Sequence, residues 1–207
     1  MRKKLLVDLK VQRQIEELGG SVIRDKKANG NLIKTVLLGR PWVKDTDLKL
    51  LAPLTSLQNL DLSGAAVTDI GLKFLAKITS LRVLCLCGTR ITNAGLKHLA
   101  VLPYLETLWL SGTCVTDAGM SELRAFPKLE ALDVSETRIT DEGLDMLASM
   151  NSLCHVGISD TKVTLSHVDQ LRDTCWPRLT VTYTPHRDDA LDCEPEFIKL
   201  YSRPNDD

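Results

Sequence analysis

The sequence predicts an α/β solenoid: a horseshoe-shaped stack of repeated units with parallel strands on its concave side and helices on its convex side. An apolar pattern recurs with a constant 24-residue period along most of the chain. Within each unit, the apolar spacing changes from strand-like alternation to helical periodicity. The composition agrees, because the chain has 36 leucines and only nine aromatic residues.

The strand of each unit is predicted by the pattern Leu-x-x-Leu-x-Leu, in which alternate residues face the core. Five copies follow one another at this constant spacing, at Leu57–Leu62, Leu81–Leu86, Leu105–Leu110, Leu129–Val134 and Leu153–Ile158. A weaker copy, Ile33–Leu38, begins one full period before the first of these. At least six units therefore span residues 33 to about 177.

The helix of each unit follows a turn, as in Thr113–Met120 and Thr137–Leu144. Leu72, Leu75 and Ile78 mark one apolar helical face. A threonine precedes each helix, where a short side-chain oxygen accepts hydrogen bonds from the amides of the first turn. We assign two threonine columns to cap and turn hydrogen bonds: Thr68, Thr92, Thr116 and Thr140, and Thr89, Thr113, Thr137 and Thr161.

A unit of this size cannot bury its apolar side alone, so neighbouring units must stack and share one core. Strands repeat at about 4.8 Å, whereas helices are wider, and the stack therefore curves. The pattern Leu-x-x-Leu-x-Leu-x-x-Thr-x-Val/Ile-Thr-Asp-x-Gly-Leu resembles the leucine-rich repeat family, especially the arrays of F-box-associated eukaryotic proteins and of many bacterial repeat proteins. The resemblance covers about 150 residues. It implies a leucine-rich repeat solenoid, but a fold alone does not specify function.

The chain is expected to have three parts. Residues 1–32 form an N-terminal capping helix and turn, because residues 4–18 have helical apolar spacing and stop at Gly19 and Gly20. Residues 33–183 form the repeat array of about six units, with a final edge strand near Leu179–Tyr183. Residues 184–207 form an acidic C-terminal tail with three Lys or Arg and seven Asp or Glu. This tail is either solvated or docked on a basic surface.

Charge and composition exclude several classes of protein. The formal net charge of −1 argues against general binding of nucleic acid or of anionic membranes. No stretch approaches the roughly 20 apolar residues of a membrane-spanning helix, and the N-terminus lacks the apolar run of a signal peptide. Six cysteines are too sparse for a small secreted disulfide scaffold. We therefore expect a cytoplasmic protein with reduced thiols that is monomeric when free.

Function in a solenoid is expected on the strand face, because the leucines are committed to the core. Three rows of side chains point outward there. In unit order they are Thr35, Asn59, Val83, Thr107, Ala131 and His155; then Leu37, Asp61, Cys85, Trp109, Asp133 and Gly157; then Gly39, Ser63, Cys87, Ser111, Ser135 and Ser159. The centre of this face is apolar and its flanks are acidic.

Trp109 is predicted to anchor a partner, because it lies mid-array at a position expected to be exposed and because Trp is enriched among interface hot spots. The predicted partner-binding residues around it are Asp61, Val83, Cys85, Thr107, Asp133 and His155. In the alternative interpretation, Trp109 only covers the sheet locally. Beside the strands, Arg90, Arg138 and Lys162 form a basic edge. These three cations either engage acidic or phosphorylated groups of a partner or form a solvated rim.

Two patterns suggest chemistry, and both are incomplete. Cys85 and Cys87 lie on one strand face as a metal or redox pair would, but zinc needs four ligands and His155 lies about 14 Å away by strand spacing. His155, Asp133 and Ser135 lie on adjacent strands like a hydrolase trio, without a nucleophile elbow, an oxyanion hole or a pocket. We therefore predict no catalytic residue, metal or cofactor.

The sequence favours a non-catalytic protein–protein interaction module, or scaffold, that binds a protein partner on its concave strand face. A central anchor would supply affinity, and acidic and polar flanks would supply specificity. The alternative implied by the resemblance is a substrate-recognition or adaptor subunit of a ubiquitin-ligase or effector-type assembly. Residues 1–32 offer one short helix, which is less than the three-helix F-box that such receptors carry.

Overall fold

The computed structural model describes residues 2–25 and 32–183, so the predicted acidic tail lies outside the described residues. The strands are β1 (Ser21–Arg24), β2 (Ile33–Leu37), β3 (Asn59–Asp61), β4 (Val83–Cys85), β5 (Thr107–Trp109), β6 (Ala131–Asp133), β7 (His155–Gly157) and β8 (Thr180–Thr182). The helices are α1 (Arg2–Glu17), α2 (Asp69–Leu75), α3 (Asn93–Leu99), α4 (Asp117–Leu123), α5 (Asp141–Leu147) and α6 (Leu165–Thr174). A 3₁₀ helix, Asp45–Leu51, takes the helical position of the first unit.

Within the described ranges, the strands form one sheet in the order β1 to β8. Strands β2 to β8 pair in parallel, and from β2 to β7 each residue pairs with its counterpart in the next unit. Each of the strands β2 to β7 leads through a turn to a helical segment, which is the 3₁₀ helix after β2 and an α-helix after the others. The predicted α/β solenoid, with a parallel sheet facing one way and helices the other, is confirmed.

One continuous apolar core fills the space between the sheet and the helices. Leu60, Leu84 and Leu108, at the centres of successive strands, are fully buried and form one column of this core. The leucines that the repeat pattern assigns to the interior are thus shared between neighbouring units. Replacing one of them by alanine would cost roughly 2 to 5 kcal/mol.

Both predicted threonine columns make their hydrogen bonds. Thr89, Thr113, Thr137 and Thr161 each donate a hydroxyl to the carbonyl three residues earlier, at 2.5 to 2.7 Å. The hydroxyls of Thr68, Thr92 and Thr140 accept the amide two residues later, at 3.2 to 3.3 Å. Thr116 is the exception, since its hydroxyl makes no cap bond to α4.

A carboxylate ladder that the sequence analysis did not predict joins successive units at the helix starts. Asp69 accepts both the amide and the hydroxyl of Thr92, at 2.8 and 2.6 Å. Asp45, Asp117 and Asp141 bind Thr68, Thr140 and Thr164 in the same way. The Thr-Asp pair therefore has two functions: the threonine caps its own helix, and the aspartate binds the threonine of the next unit.

The glycine of the Thr-Asp-x-Gly-Leu motif leaves room for this ladder. A Cβ added at Gly71 would lie 2.5 Å from the Asp45 carboxylate, and one at Gly95 would clash with that of Asp69. Glycine lowers the stability of a helix by about 1 kcal/mol relative to alanine. The motif retains it because the aspartate of the preceding unit occupies the place where a side chain would begin.

The array has an atypical first unit, as the sequence analysis expects. Strand β1 was not predicted; it pairs with β2 in an antiparallel hairpin, and its four-residue pattern Ser21–Arg24 is too short for a periodicity signal. Helix α1 is followed closely by Gly19, whose φ is +78°. The Arg40 side chain donates to the Gly19 carbonyl and the Trp42 indole to that of Leu18, both at 3.0 Å.

The last unit carries the longer helix α6 and the parallel strand β8, which lies in the range where the sequence analysis places a final strand. The Trp176 side chain is 5 % exposed, and its indole N–H donates to the Leu153 carbonyl at 2.8 Å. This residue closes the apolar core at the end of the described array.

Candidate functional site

The candidate site is the strand face, opposite the helices. The strand register puts Cys85 beside Trp109 and Trp109 beside Asp133. The same register aligns Asn59, Val83, Thr107, Ala131 and His155 in the neighbouring row. The sequence analysis predicted this lateral order correctly, because a constant repeat length moves each residue one strand sideways without any shift along the strand.

The centre of this face is more deeply covered than the sequence analysis expects. Val83, Cys85 and Thr107 are only 3, 2 and 1 % exposed, although they lie outside the core shared with the helices. Neighbouring strands are about 4.8 Å apart, so small side chains between larger ones lie below the surface. These three residues can support a binding surface, but they offer no area to a partner in this conformation.

Trp109 is half-buried, not exposed as predicted. Its ring belongs to the row that contains Cys85 and Asp133, and both neighbours are small enough for an indole to extend across them. Trp109 is thus partly removed from solvent, and the neighbouring Cys85 is buried.

Asp61 and Ser63 form a polar chain with the two central thiols. The Asp61 carboxylate accepts the amide of Ser63 at 2.8 Å and its hydroxyl at 2.5 Å, and the Ser63 Oγ lies 3.0 Å from the Cys85 Sγ. The sulfurs of Cys85 and Cys87 are 3.4 Å apart. Burial raises the pKa of the Asp61 carboxyl, and Cys85 raises it further, while the hydrogen bonds from Ser63 oppose both.

The residues of the possible hydrolase trio do not form a proton relay. Asp133 accepts the Ser135 amide at 2.9 Å, and the Ser135 hydroxyl accepts the Ser159 amide at 3.1 Å. His155 is exposed and lies beside Ala131, one row away from Asp133. In the described part of the chain, no side-chain hydrogen bond joins His155 to Asp133 or to Ser135, so the geometry offers no activated hydroxyl.

Two acidic residues beside the face were missed by the sequence analysis. Glu136 and Asp160 have φ values of +56° and +53°, at a turn position where Gly64, Gly88 and Gly112 stand in the preceding units. A residue with a Cβ in this left-handed region is strained, by roughly 1 to 2 kcal/mol. The signal was present in the sequence as the loss of this glycine from two successive turns.

The basic edge lies beside the sheet and outside its strand face. Arg90 and Arg138 are exposed, and each forms an isolated bridge, with Thr68 and Thr116 respectively, where the chain turns towards the helix. Lys162 has the equivalent place beside Thr140. The edge cations therefore lie outside the strand that carries Trp109, and their role in binding stays a prediction.

The described residues hold no cluster of three or more His, Cys, Asp or Glu side chains placed to bind a metal ion. Cys85 and Cys87 thus lack a third ligand of these types. Within the described ranges, no helix is both long enough and apolar enough to cross a membrane.

A model of the leucine-rich repeat family matches residues 54–76, 101–123 and 127–148. No curated protein sequence matches the chain. Among solved structures, internalin C2 from Listeria monocytogenes is similar over 86 % of this chain and 93 % of its own, with 21 % identity and a TM-score of 0.50.

The leucine-rich repeat ectodomain of the Arabidopsis receptor kinase HAESA, solved in complex with an N-terminally extended IDA peptide hormone, is also similar. The match covers 87 % of this chain but 33 % of that ectodomain, with 19 % identity and a TM-score of 0.60. At these identities the two structures establish the fold.

Proposed function

Because the chain belongs to the leucine-rich repeat family, we propose that it is a non-catalytic protein–protein interaction module that binds a partner on its concave strand face. The observation that carries this proposal is the central position of Trp109 on a rigid sheet. Solenoids of this kind present an extended curved surface whose residues are not needed for the core. HAESA, which has a similar fold, is seen with a peptide hormone, and this supports peptide or protein binding here.

The energetic argument rests on the few residues that dominate most interfaces. Hot-spot residues cost at least about 2 kcal/mol when truncated, and they cluster in well-packed positions near the centre of an interface. Trp109 lies near the middle of the strand face and is half-buried, and Cys85 beside it on the neighbouring strand is buried. A side chain that is partly enclosed before binding has less rotamer freedom to lose, which favours affinity.

The proposal is tested by affinity capture from native lysate with the wild-type chain and with Trp109→Ala. We expect Trp109→Ala to lose the captured partner or to weaken its binding by at least roughly thirtyfold, which corresponds to about 2 kcal/mol. Tyr104→Ala is the matched control, because Tyr104 is 46 % exposed and lies in the loop after α3, away from the strand face. Equal capture by wild type and Trp109→Ala would refute the proposal.

The second candidate, a substrate-recognition or adaptor subunit of a ubiquitin ligase, is supported by the resemblance to F-box-associated arrays. Before the array, the described residues contain one helix and one strand, α1 and β1. Co-purification with ligase adaptor proteins would favour this candidate. Capture of a partner without any adaptor would favour the simpler module.

The state of the free protein is also a proposal. We expect a cytoplasmic monomer that binds neither nucleic acid nor membranes, which is supported by the net charge of −1. Sedimentation equilibrium at several concentrations checks the monomer, and fluorescence microscopy of the tagged chain in its native cell checks the location.

A further inference from the structure

We propose that the segment bound by the concave face is extended and basic, with a lysine or arginine side chain lying over the Trp109 ring beside Asp133. This inference rests on the proposed function and names the chemistry of the partner at the same site. It follows from the distribution of charge around the strand face and from the strand register.

The strand face is acidic on one half. From β5 to β7, the strands with their flanking positions, residues 106–111, 130–136 and 154–160, contain no lysine or arginine. The same three segments contain five carboxylates, at Glu106, Glu130, Asp133, Glu136 and Asp160. A partner that covered this half with its own carboxylates would meet like charges, whereas a basic partner would be attracted.

Within the described residues, three of these carboxylates form no ion pair with a lysine or arginine. Glu106 forms an ion pair with Arg82, the basic residue that directly precedes β4. Among the described residues, no lysine or arginine forms an ion pair with Glu130, Asp133 or Glu136. Asp133 lies on β6, beside Trp109, while Glu130 precedes this strand and Glu136 follows it, so their charge lies on the strand next to Trp109.

The indole of Trp109 is the aromatic ring type that attracts a cation most strongly. Lysine and arginine bind over the face of a Trp ring, and the attraction grows when the site is partly shielded from water. The strand register places Asp133 next to Trp109, at about 4.8 Å along the sheet. A cation above the ring therefore lies within reach of a carboxylate at the same time.

The shape of the face favours an extended occupant. From β3 to β7, the outward rows cross five strands at about 4.8 Å per strand and so span roughly 19 Å. An extended chain covers this width with about six residues. The two left-handed acidic turn residues, Glu136 and Asp160, lie along one border of this path.

The test uses hexaarginine, hexaglutamate and hexaserine peptides as probes, with affinity measured by isothermal titration at low salt. We expect hexaarginine to bind most tightly and to weaken strongly at high salt, because exposed charges are screened. The variant with Glu130→Gln, Asp133→Asn and Glu136→Gln is expected to bind hexaarginine roughly tenfold more weakly. Trp109→Leu is expected to lose more affinity than Trp109→Phe, which retains an aromatic face.

A matched control removes the same number of charges elsewhere. Glu17→Gln, Glu142→Gln and Asp173→Asn lie on α1, α5 and α6, and all three residues are exposed. This variant should bind hexaarginine like the wild type. Circular dichroism melts of both triple variants check that each one is folded, so that a loss of affinity reports on the surface.

Several results would overturn the inference: equal weakening by the two triple variants, preferential binding of hexaglutamate, or no binding of hexaarginine. Concentration-dependent self-association that the Glu130, Asp133 and Glu136 variant abolishes would identify a second copy as the occupant, and would overturn it too. If hexaarginine fails while Trp109→Ala still abolishes capture of the native partner, the proposed function stands and its basic chemistry is wrong. If both fail, the binding face itself is wrong.

Discussion

Asp61 shows how one half-buried carboxyl makes the stability of the folded chain depend on pH. Its pKa is raised in the folded chain, so the folded state binds a proton more readily than the unfolded state does. The unfolding free energy is therefore expected to fall as the pH rises from about 3.8, the ordinary value, through the raised pKa. Above that interval, the charged carboxylate reduces stability.

Replacing Asp61 by asparagine tests this directly. Asparagine keeps an oxygen that accepts the amide and hydroxyl of Ser63, but it carries no charge to desolvate. We expect Asp61→Asn to be more stable than the wild type at neutral pH and to approach it in acid. Urea unfolding at several pH values measures the difference.

The matched control is Asp133→Asn, because Asp133 has the same place in its unit and accepts the Ser135 amide in the same way. It reports the effect of the substitution itself. If the stability difference between Asp61→Asn and the wild type did not change with pH, partial burial of the Asp61 carboxylate would have no effect on the unfolding free energy.

At the scale of the helix, the exception at Thr116 has a chemical cause. Asn93 replaces the aspartate of the ladder, and its amide nitrogen donates to the Thr116 hydroxyl at 2.8 Å. In the other units, the threonine hydroxyl donates to a carboxylate and accepts the amide of its own helix. The reversed hydrogen bond at Asn93 leaves α4 without its threonine side-chain cap.

Asn93→Asp is expected to restore both bonds. The carboxylate would accept the Thr116 hydroxyl, which could then accept the amide of Ala118 as the equivalent threonines do. A helix cap of this kind contributes roughly 0.5 to 2 kcal/mol, so the midpoint of urea unfolding should rise. Asp69→Asn is the matched opposite change and should lower it. A fall in stability on Asn93→Asp would contradict the ladder as described.

The individual elements were partly predictable. Period and register follow from a constant repeat length, which places Cys85, Trp109 and Asp133 side by side without any structure. The ladder was not predictable, because Asp69 and Thr92 belong to different units and their contact depends on the distance between these two units once they have stacked. Strand β1 was missed because Ser21–Arg24 acquires its conformation by pairing with β2.

The position of the candidate site could be predicted from the sequence, but the burial of its side chains could not. Alternation along a strand identifies Val83 and Thr107 as outward-facing, but it cannot show that neighbouring side chains cover them. The same limit applies to Trp109, whose half-buried state could not be read from its position in the strand. Burial on a sheet face is set by lateral neighbours, and these are known only after the units have stacked.

For the whole molecule, stacking means that each unit contacts only its neighbours, so damage at one end should remain local. Trp176→Ala removes a buried indole and its bond to the Leu153 carbonyl, and is expected to cost about 3 to 5 kcal/mol. Hydrogen exchange should show lost protection in α6 and β8, while β3 to β5 stay protected. Uniform loss of protection across the array would indicate all-or-none unfolding.

Trp42→Ala is the corresponding control at the N-terminal end of the array. Trp42 is 59 % exposed and its indole bonds to the Leu18 carbonyl, so its loss should affect α1 and the β1–β2 hairpin. The two variants together separate local fraying at each end from a general loss of stability.

The carboxylate ladder has a consequence for how such a chain can grow. In the units of Thr68-Asp69 and Thr140-Asp141, the aspartate accepts hydrogen bonds from the threonine of the next unit, and the threonine binds the aspartate of the preceding unit. A unit copied in tandem therefore meets neighbours that it already fits, with no new interface to evolve. Gene duplications that add or remove one whole unit preserve every junction, whereas insertions of any other length must be absorbed in a turn.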